Sequence, residues 1–132
     1  MPTLLDTHAW VWWVSEDRRL SRKARSAVEK AQSQDDLWLS LISIWEVAKK
    51  VEKKQLVLDR SINQWLDAAT LINGLHLWEL AQPILVQSCS LPQPFHGDPA
   101  DQLIVATARH HEALLITKDK KIRSYPHVRT LW

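Results

Sequence analysis

The sequence is poor in cysteine, glycine, phenylalanine and tyrosine: one cysteine, Cys89, two glycines, Gly74 and Gly97, one Phe and one Tyr in 132 residues. A single thiol excludes an internal disulfide and suits a reducing compartment. Two isolated glycines exclude the glycine-rich loops with which Walker and Rossmann sites cradle phosphate. No apolar run approaches the roughly 20 residues that span a bilayer. The start, Met1-Pro2-Thr3-Leu4-Leu5-Asp6, lacks a basic segment and meets an acid at once, so no signal peptide is expected. A cytoplasmic protein without membrane association is the expectation. Excess charge of one sign is also missing: 17 basic against 15 acidic residues leave a net charge of +2. That balance permits a nucleic-acid partner without requiring one.

What is abundant is tryptophan, eight in all. Trp10, Trp12 and Trp13 crowd one segment, more large aromatics than one small core face needs. At least one of them, together with a helix over residues 43–58, is expected to line a protein interface. The hydrophobic fraction of 45% is enough for a packed core, and 132 residues make one domain, taken as residues 1–132. The basic residues cluster at 18–25, 49–54 and 118–123. Each cluster alone reads as a solvated helix face.

Apolar runs and helical periodicities alternate. Strands are predicted at 3–6, 37–41, 75–78, 114–117 and 128–131, the first too apolar to alternate. Thr7 is read as the cap of a helix over 9–14 and Ser21 as the cap of one to about Gln34. Ser43 is read as the cap of the next helix, and Ser61 of one ending at Asn73-Gly74. A helix with Pro83 in its first turn runs to about Ser88. The clearest loop, residues 90–98, leads into Asp98-Pro99-Ala100-Asp101, where Asp98 is the N-cap, Pro99 the first helical residue and Asp101 the third. A basic turn separates the last two strands. Alternating elements of this kind imply a three-layer α/β domain with a mainly parallel sheet of about five strands.

Four acids stand out in that frame. Asp6 and Asp119 follow apolar strands, Asp101 opens a helix and Glu46 rides on one. In an open parallel sheet the ligand crevice lies beyond the carboxyl ends of the strands. Four carboxylates gathered there repel one another, a cost a divalent cation offsets, and the chemistry that follows is commonly that of phosphate esters. Each acid also has a plainer role: Glu46 paired with Lys49 or Lys50, Asp98 and Asp101 at a helix dipole, Asp119 in a turn. Asp6 is the hardest to explain that way, because an unpaired carboxylate on a buried strand end is costly. Other chemistries fare worse. Ser88-Cys89-Ser90 is no nucleophile motif, and His110-His111 place their rings apart on a helix. A haloacid-dehalogenase-like site would need an acid where His8 stands. His96, in the loop before Asp98, is assigned a structural or solvent role.

Asp6-Thr7-His8 after a first strand, Ser43 to Val47 on a helix, His96 to Ala108, and Leu115-Ile116-Thr117-Lys118-Asp119 together resemble a PIN domain. More narrowly, the chain is similar to the VapC-type ribonuclease toxins of bacterial toxin–antitoxin pairs. The four segments follow the family's order, and the Asp-Pro-x-Asp helix start is the most specific. The resemblance implies that Asp6, Glu46, Asp101 and Asp119 form the acidic quartet that binds Mg²⁺ or Mn²⁺ and carries catalysis. Thr7, Asp98 and Thr117 support it, with Asp98 mainly a helix cap. Gln102 departs from the family, where arginine is common, which puts one auxiliary charge contact in doubt. The implied activity is endoribonuclease cleavage by metal-activated water, leaving a 5′-phosphate and a 3′-hydroxyl. Lys49, Lys50, Lys118 and Lys120 are expected to hold the RNA backbone. A cognate antitoxin and a second copy of the chain are the implied protein partners. The competing expectations are a PIN-like nuclease of RNA processing or repair without an antitoxin, and a non-catalytic α/β adaptor whose acids bind metal for regulation.

Overall fold

The computed structural model describes residues 1–132. Five strands, β1 (Thr3–Leu5), β2 (Leu37–Ser40), β3 (Leu75–Trp78), β4 (Leu114–Ile116) and β5 (Thr130–Leu131), form one sheet in the order β3-β2-β1-β4-β5. Every pairing is parallel. Helices α1 (Thr7–Val14), α2 (Arg22–Ser33), α3 (Leu41–Glu52), α4 (Ile62–Thr70), α5 (Gln82–Ser88), α6 (Pro99–His110) and α7 (Lys120–Arg123) connect them. The expected three-layer α/β architecture is what forms.

The strands are apolar throughout because both sheet faces are covered. In β1, Leu5 joins Leu37, Leu39 and Ile116 beneath Trp10, Val28, Val47 and Trp65. Its neighbour Leu4 points the other way and packs with Leu115, Ile84, Ile104 and Ile122. Thus α1 to α4 cover one face and α5 to α7 the other. Helix α2 shows the usual logic: Ser21 accepts a hydrogen bond from the Ala24 amide, and Ala24, Val28 and Ala31 form the buried stripe.

Chain order reverses between β1 and β4. From β1 the chain steps to β2 and β3, then crosses back to lay β4 on the other side of β1. This switch opens a crevice beyond the carboxyl ends of β1 and β4. Asp6 directly follows β1, and Asp119 lies three residues past β4.

Several local expectations are corrected. Asp6, not Thr7, caps α1, with its carboxylate accepting from the Thr7 amide. Ser40, not Ser43, caps α3, so Leu41 is helical rather than the end of a strand, and Ser43 lies inside the helix. Helix α4 stops at Thr70, short of Asn73. Gly74 instead makes the turn into β3 at φ +86°, and a Cβ there would stand 2.4 Å from the Gln32 carbonyl oxygen. The basic turn after β4 contains α7, and β5 is only two residues long. With so few glycines, α1, α2, α3 and α6 end on left-handed Glu16, Asp35, Lys54 and Glu112.

Most of the tryptophans serve packing. Trp10 is fully buried, meets Trp65 edge-on at 5.0 Å and donates its indole N–H to the Ala69 carbonyl. Trp78 stacks between Trp38 and His111 at centroid distances of 4.4 and 3.8 Å, shielding the edge strand β3. Trp12 and Trp13 are half-buried, while Trp45 on α3 is 54% exposed. No helix is long and apolar enough to cross a membrane.

Candidate active site

Asp6 is the fixed point of the crevice. It is 3% exposed, and the fold holds both of its oxygens. Oδ1 accepts from the Thr7 amide at 2.8 Å, and Oδ2 accepts from the Thr117 hydroxyl at 2.6 Å. The Thr117 oxygen in turn accepts from the Asp119 amide at 3.1 Å. One hydroxyl therefore locks the loop after β4 to the acid after β1. These contacts satisfy a carboxylate that burial alone would disfavour.

Glu46 reaches the same rim from α3, which packs against both α1 and α6. Its Oε1 accepts from the Thr7 hydroxyl at 2.6 Å. That hydroxyl has one proton, and Glu46 takes it, so Ser43 must donate to Thr7 Oγ1 across 2.8 Å. Ser43, fully buried, is thus the start of a relay Ser43–Thr7–Glu46. Its sequence signal was the i,i+3 spacing to Glu46, which puts both on one helix face.

Asp101 sits in the first turn of α6, where its amide donates to Asp98 Oδ1. Its Oδ2 is 2.7 Å from His96 Nε2. His96 is therefore part of the site, against the role assigned to it from sequence. Gln102, where the resemblance led to a doubt, donates to the His96 carbonyl and steadies the loop that carries the imidazole. Asp119 spends one oxygen capping α7, accepting from the Lys121 and Ile122 amides. His8 stands beside Asp6, with Nδ1 3.6 Å from Asp6 Oδ2, and Nε2 accepts from the Lys118 amide. A ring whose Nε2 accepts carries its proton on Nδ1, facing the acid.

The electrostatics tie the four acids together. Burial, reinforced by the charges of Asp6 and Asp101, pushes the Glu46 carboxyl up to about 7, although the Thr7 hydroxyl pulls the other way. Burial also pushes Asp101 up to about 6, opposed by its His96 hydrogen bond and helped by Asp6, Asp98 and Asp119. Carboxylates so destabilised as anions fit a divalent cation. The donors on offer are oxygens, while both nearby imidazoles face carboxylates, which suits a hard ion such as Mg²⁺ or Mn²⁺ better than zinc. No three of the His, Cys, Asp and Glu side chains stand together at metal-ligand distances.

The expected lysines separate into two groups. Lys118 and Lys120 flank the crevice, with Lys118 Nζ 5.6 Å from the Trp12 ring centre and Lys120 lining a depression with Asp98, Asp101 and Asp119. Lys50 lies close enough to Glu46 to favour its charge, while Lys49 pairs with Glu52 at 2.8 Å. A surface depression of about 680 Å³ lies elsewhere, lined by Met1, Arg109, His127 and Arg129.

Asp98 and Asp101 are expected to separate in mutants. Asp98→Ala should cost about 1 kcal/mol as a lost cap, read as a lower melting temperature with catalysis largely kept. Asp101→Asn should keep the melting temperature and lose activity and metal affinity. Reversed phenotypes would exchange the two assignments.

The family model of the PIN domain matches residues 3–128. Ribonuclease VapC22 of Mycobacterium tuberculosis is 37% identical over 131 residues, 98% of this chain and 97% of that protein. Among solved structures, a toxin–antitoxin complex from Klebsiella pneumoniae contains a chain of similar fold, with TM-score 0.67, 24% identity, and coverage of 98% of this chain and 96% of that one. VapBC2 from Rickettsia felis, bound to a DNA fragment from its promoter, gives TM-score 0.68, 18% identity and coverage of 99% and 98%.

Proposed function

We propose, from the premise that the chain belongs to the PIN domain family, that it is a metal-dependent endoribonuclease and the toxin of a toxin–antitoxin pair. The observation that carries this reading is the convergence of Asp6, Glu46, Asp101 and Asp119 on the switch-point crevice, two of them with strongly raised proton affinity. Similarity to a VapC ribonuclease along nearly the whole chain supports it.

Asp6, Glu46, Asp101 and Asp119 would hold one or two Mg²⁺ or Mn²⁺ ions, which supply Lewis acidity toward phosphate and lower the pKa of bound water. The remaining work falls to the chain itself. Thr117 and the Thr7 amide keep Asp6 in one rotamer, and the Ser43–Thr7 relay aims Glu46. Glu46, aimed by the Thr7 hydroxyl, is placed to orient an attacking water on the rim. His96 orients Asp101. Lys118 and Lys120 present charge to the RNA backbone, which favours binding but carries little sequence information.

An antitoxin partner finds support in an apolar groove between α1 and α4, lined by Val11, Trp12, Leu56, Leu58 and Trp65. Exposed Trp45 on α3 supports a second protein contact, including a homodimer. Residues 1–132 act as one nuclease unit in this reading.

Incubating the purified chain with single-stranded RNA and Mn²⁺ or Mg²⁺ tests the activity. Cleavage to 5′-phosphate products that EDTA abolishes is the expected result. RNA left intact with either ion, by a chain free of antitoxin, would overturn it.

A further inference from the structure

The acid rim continues into a second depression that the chemistry above does not use. The first is lined by His96, Asp98, Asp101, Asp119, Lys120 and Lys121. Its neighbour, about 440 Å³, is lined by Lys23, Lys120, Arg123, Ser124, Thr130 and Trp132 among others. Lys120 lines both, so the two depressions adjoin at α7. Two elements far apart in sequence bring three cations together: Lys23 from α2, and Lys120 and Arg123 from α7. None of the three is neutralised by a carboxylate; the lysine and arginine ion pairs are Arg19–Asp17, Lys49–Glu52 and Arg60–Asp59.

Trp132 forms the aromatic wall of this depression. Its ring meets Trp12 at 60° and 5.8 Å, and His8 at 69° and 6.1 Å. Neither neighbour lies parallel to it, so no ring stacks on its face. Trp12 is differently placed: Arg19 lies 4.9 Å and Lys118 5.6 Å from its ring centre, and His8 tilts over it at 5.0 Å. Trp12 and His8 therefore act as a buttress, and Trp132, partly buried against the core, turns the rest of its ring to the depression it lines. His8 links the buttress to Asp6 at 3.6 Å, so the platform is anchored to the acid rim itself.

We propose that this depression is a nucleotide subsite for single-stranded RNA, in which one base stacks on Trp132 and the adjoining phosphates lie against Lys23, Lys120 and Arg123. The inference rests on the ribonuclease reading and adds the residues that position one nucleotide of the substrate. Cations without carboxylate partners beside an aromatic wall are what single-strand binding uses: charge follows the backbone, and stacking accepts any base. A duplex keeps its bases stacked on one another and cannot offer one to Trp132. An apolar protein segment would leave the three cations unpaired.

The test is Trp132→Ala, with steady-state cleavage of a single-stranded RNA in Mn²⁺. KM should rise about tenfold, within what one base–aromatic stack is worth, while kcat stays within about twofold. Trp132→Phe should recover most of the loss. Competitor oligonucleotides separate stacking from charge. Wild-type protein should be inhibited more strongly by a base-bearing single strand than by the same strand made abasic, and Trp132→Ala should lose that preference. Lys23→Ala, an exposed change that does not threaten folding, should raise KM and lower the salt slope by about one unit. An unchanged KM in both variants, or equal loss of affinity for base-bearing and abasic strands, would overturn the proposal. So would a Trp132→Ala protein that has lost antitoxin binding but cleaves RNA normally, since that assigns the surface to a protein. A wild-type chain that cleaves no RNA removes the ribonuclease reading itself, a failure distinct from all of these.

Discussion

Asp6→Asn should abolish cleavage and leave the fold standing. The substitution removes one charge and keeps the shape. An asparagine carbonyl can still accept from the Thr7 amide, so the cap of α1 survives, asparagine being as good an N-cap as aspartate. The amide nitrogen then faces Thr117, whose oxygen, already accepting from the Asp119 amide, can accept a second hydrogen bond, at the cost of a new partner for its own proton. Asp6 is also one of the charges that raise the proton affinity of Glu46 and Asp101. Taking that charge away relieves both neighbours and offsets the change at Thr117, so without metal at pH 8 the variant should melt no lower than the wild type. Activity is another matter. The anion lost is the best buried of the four and the most firmly oriented, and several kcal/mol of charge stabilisation correspond to a rate loss of about a thousandfold or more. Asp6→Ala is the control. It discards the cap and strands the Thr117 hydroxyl, so it should lose stability as well as activity. Thermal melts in EDTA beside RNA cleavage assays separate the variants. A marked drop in melting temperature for Asp6→Asn together with retained cleavage would make Asp6 a structural cap and nothing more.

The same residue shows how far the sequence could be read. An acid after an uninterrupted apolar strand is expensive unless something holds it, and that made Asp6 legible without coordinates. The Asp98-Pro99 start of α6 was equally plain, because proline at the first helical position and a capping acid before it are local chemistry. The alternation of strands and helices was enough for the layers, since buried parallel strands must be apolar on both sides. What stayed hidden depended on long-range contacts. Ser40 and Ser43 are equally good caps by composition, and only the register of β2 beside β1 and β3 decides that the strand ends at Ser40. Ser43 then becomes a buried donor to Thr7, 36 positions away in the chain. His96 gave no periodic signal, since its loop has none, and its partnership with Asp101 follows from how residues 90–98 fold back over α6. Trp10, expected among the candidates for an interface, was claimed by the Ala69 carbonyl and Trp65 across the core.

Stability and metal binding should respond to pH in opposite senses. Glu46 and Asp101 have folded-state proton affinities raised to about 7 and about 6 from ordinary values of 4.5 and 3.8. A carboxyl with a raised pKa keeps its proton in the folded protein at pH values where the unfolded chain has released it. Its contribution to stability is therefore complete below about pH 4 and is lost as the pH rises through 6 and 7. In EDTA the protein should accordingly melt lower at pH 8 than at pH 5. Taken at face value the two shifts amount to about 3 kcal/mol each, but partial exposure screens both groups, and about 2–4 kcal/mol in total is the realistic scale. A divalent cation reverses the trend, because it binds the ionised acids that folding alone leaves repelling one another. At a hundred times its dissociation constant, Mg²⁺ should add about 2.7 kcal/mol at pH 8, roughly 10 °C in melting temperature for a domain of this size. At pH 5 protons already occupy Glu46 and Asp101, and the same addition should raise the melting temperature by only a small fraction of that. Glu46→Gln supplies the internal check: it removes the higher of the two titrations, so the metal-free melting temperature should vary less between pH 5 and 8. Melting curves across that range, with EDTA and with Mg²⁺, decide the matter. A metal-free protein that grows more stable from pH 5 to pH 8, with the same Mg²⁺ increment at both ends, would show that these carboxyls neither hold raised proton affinities nor form the metal site.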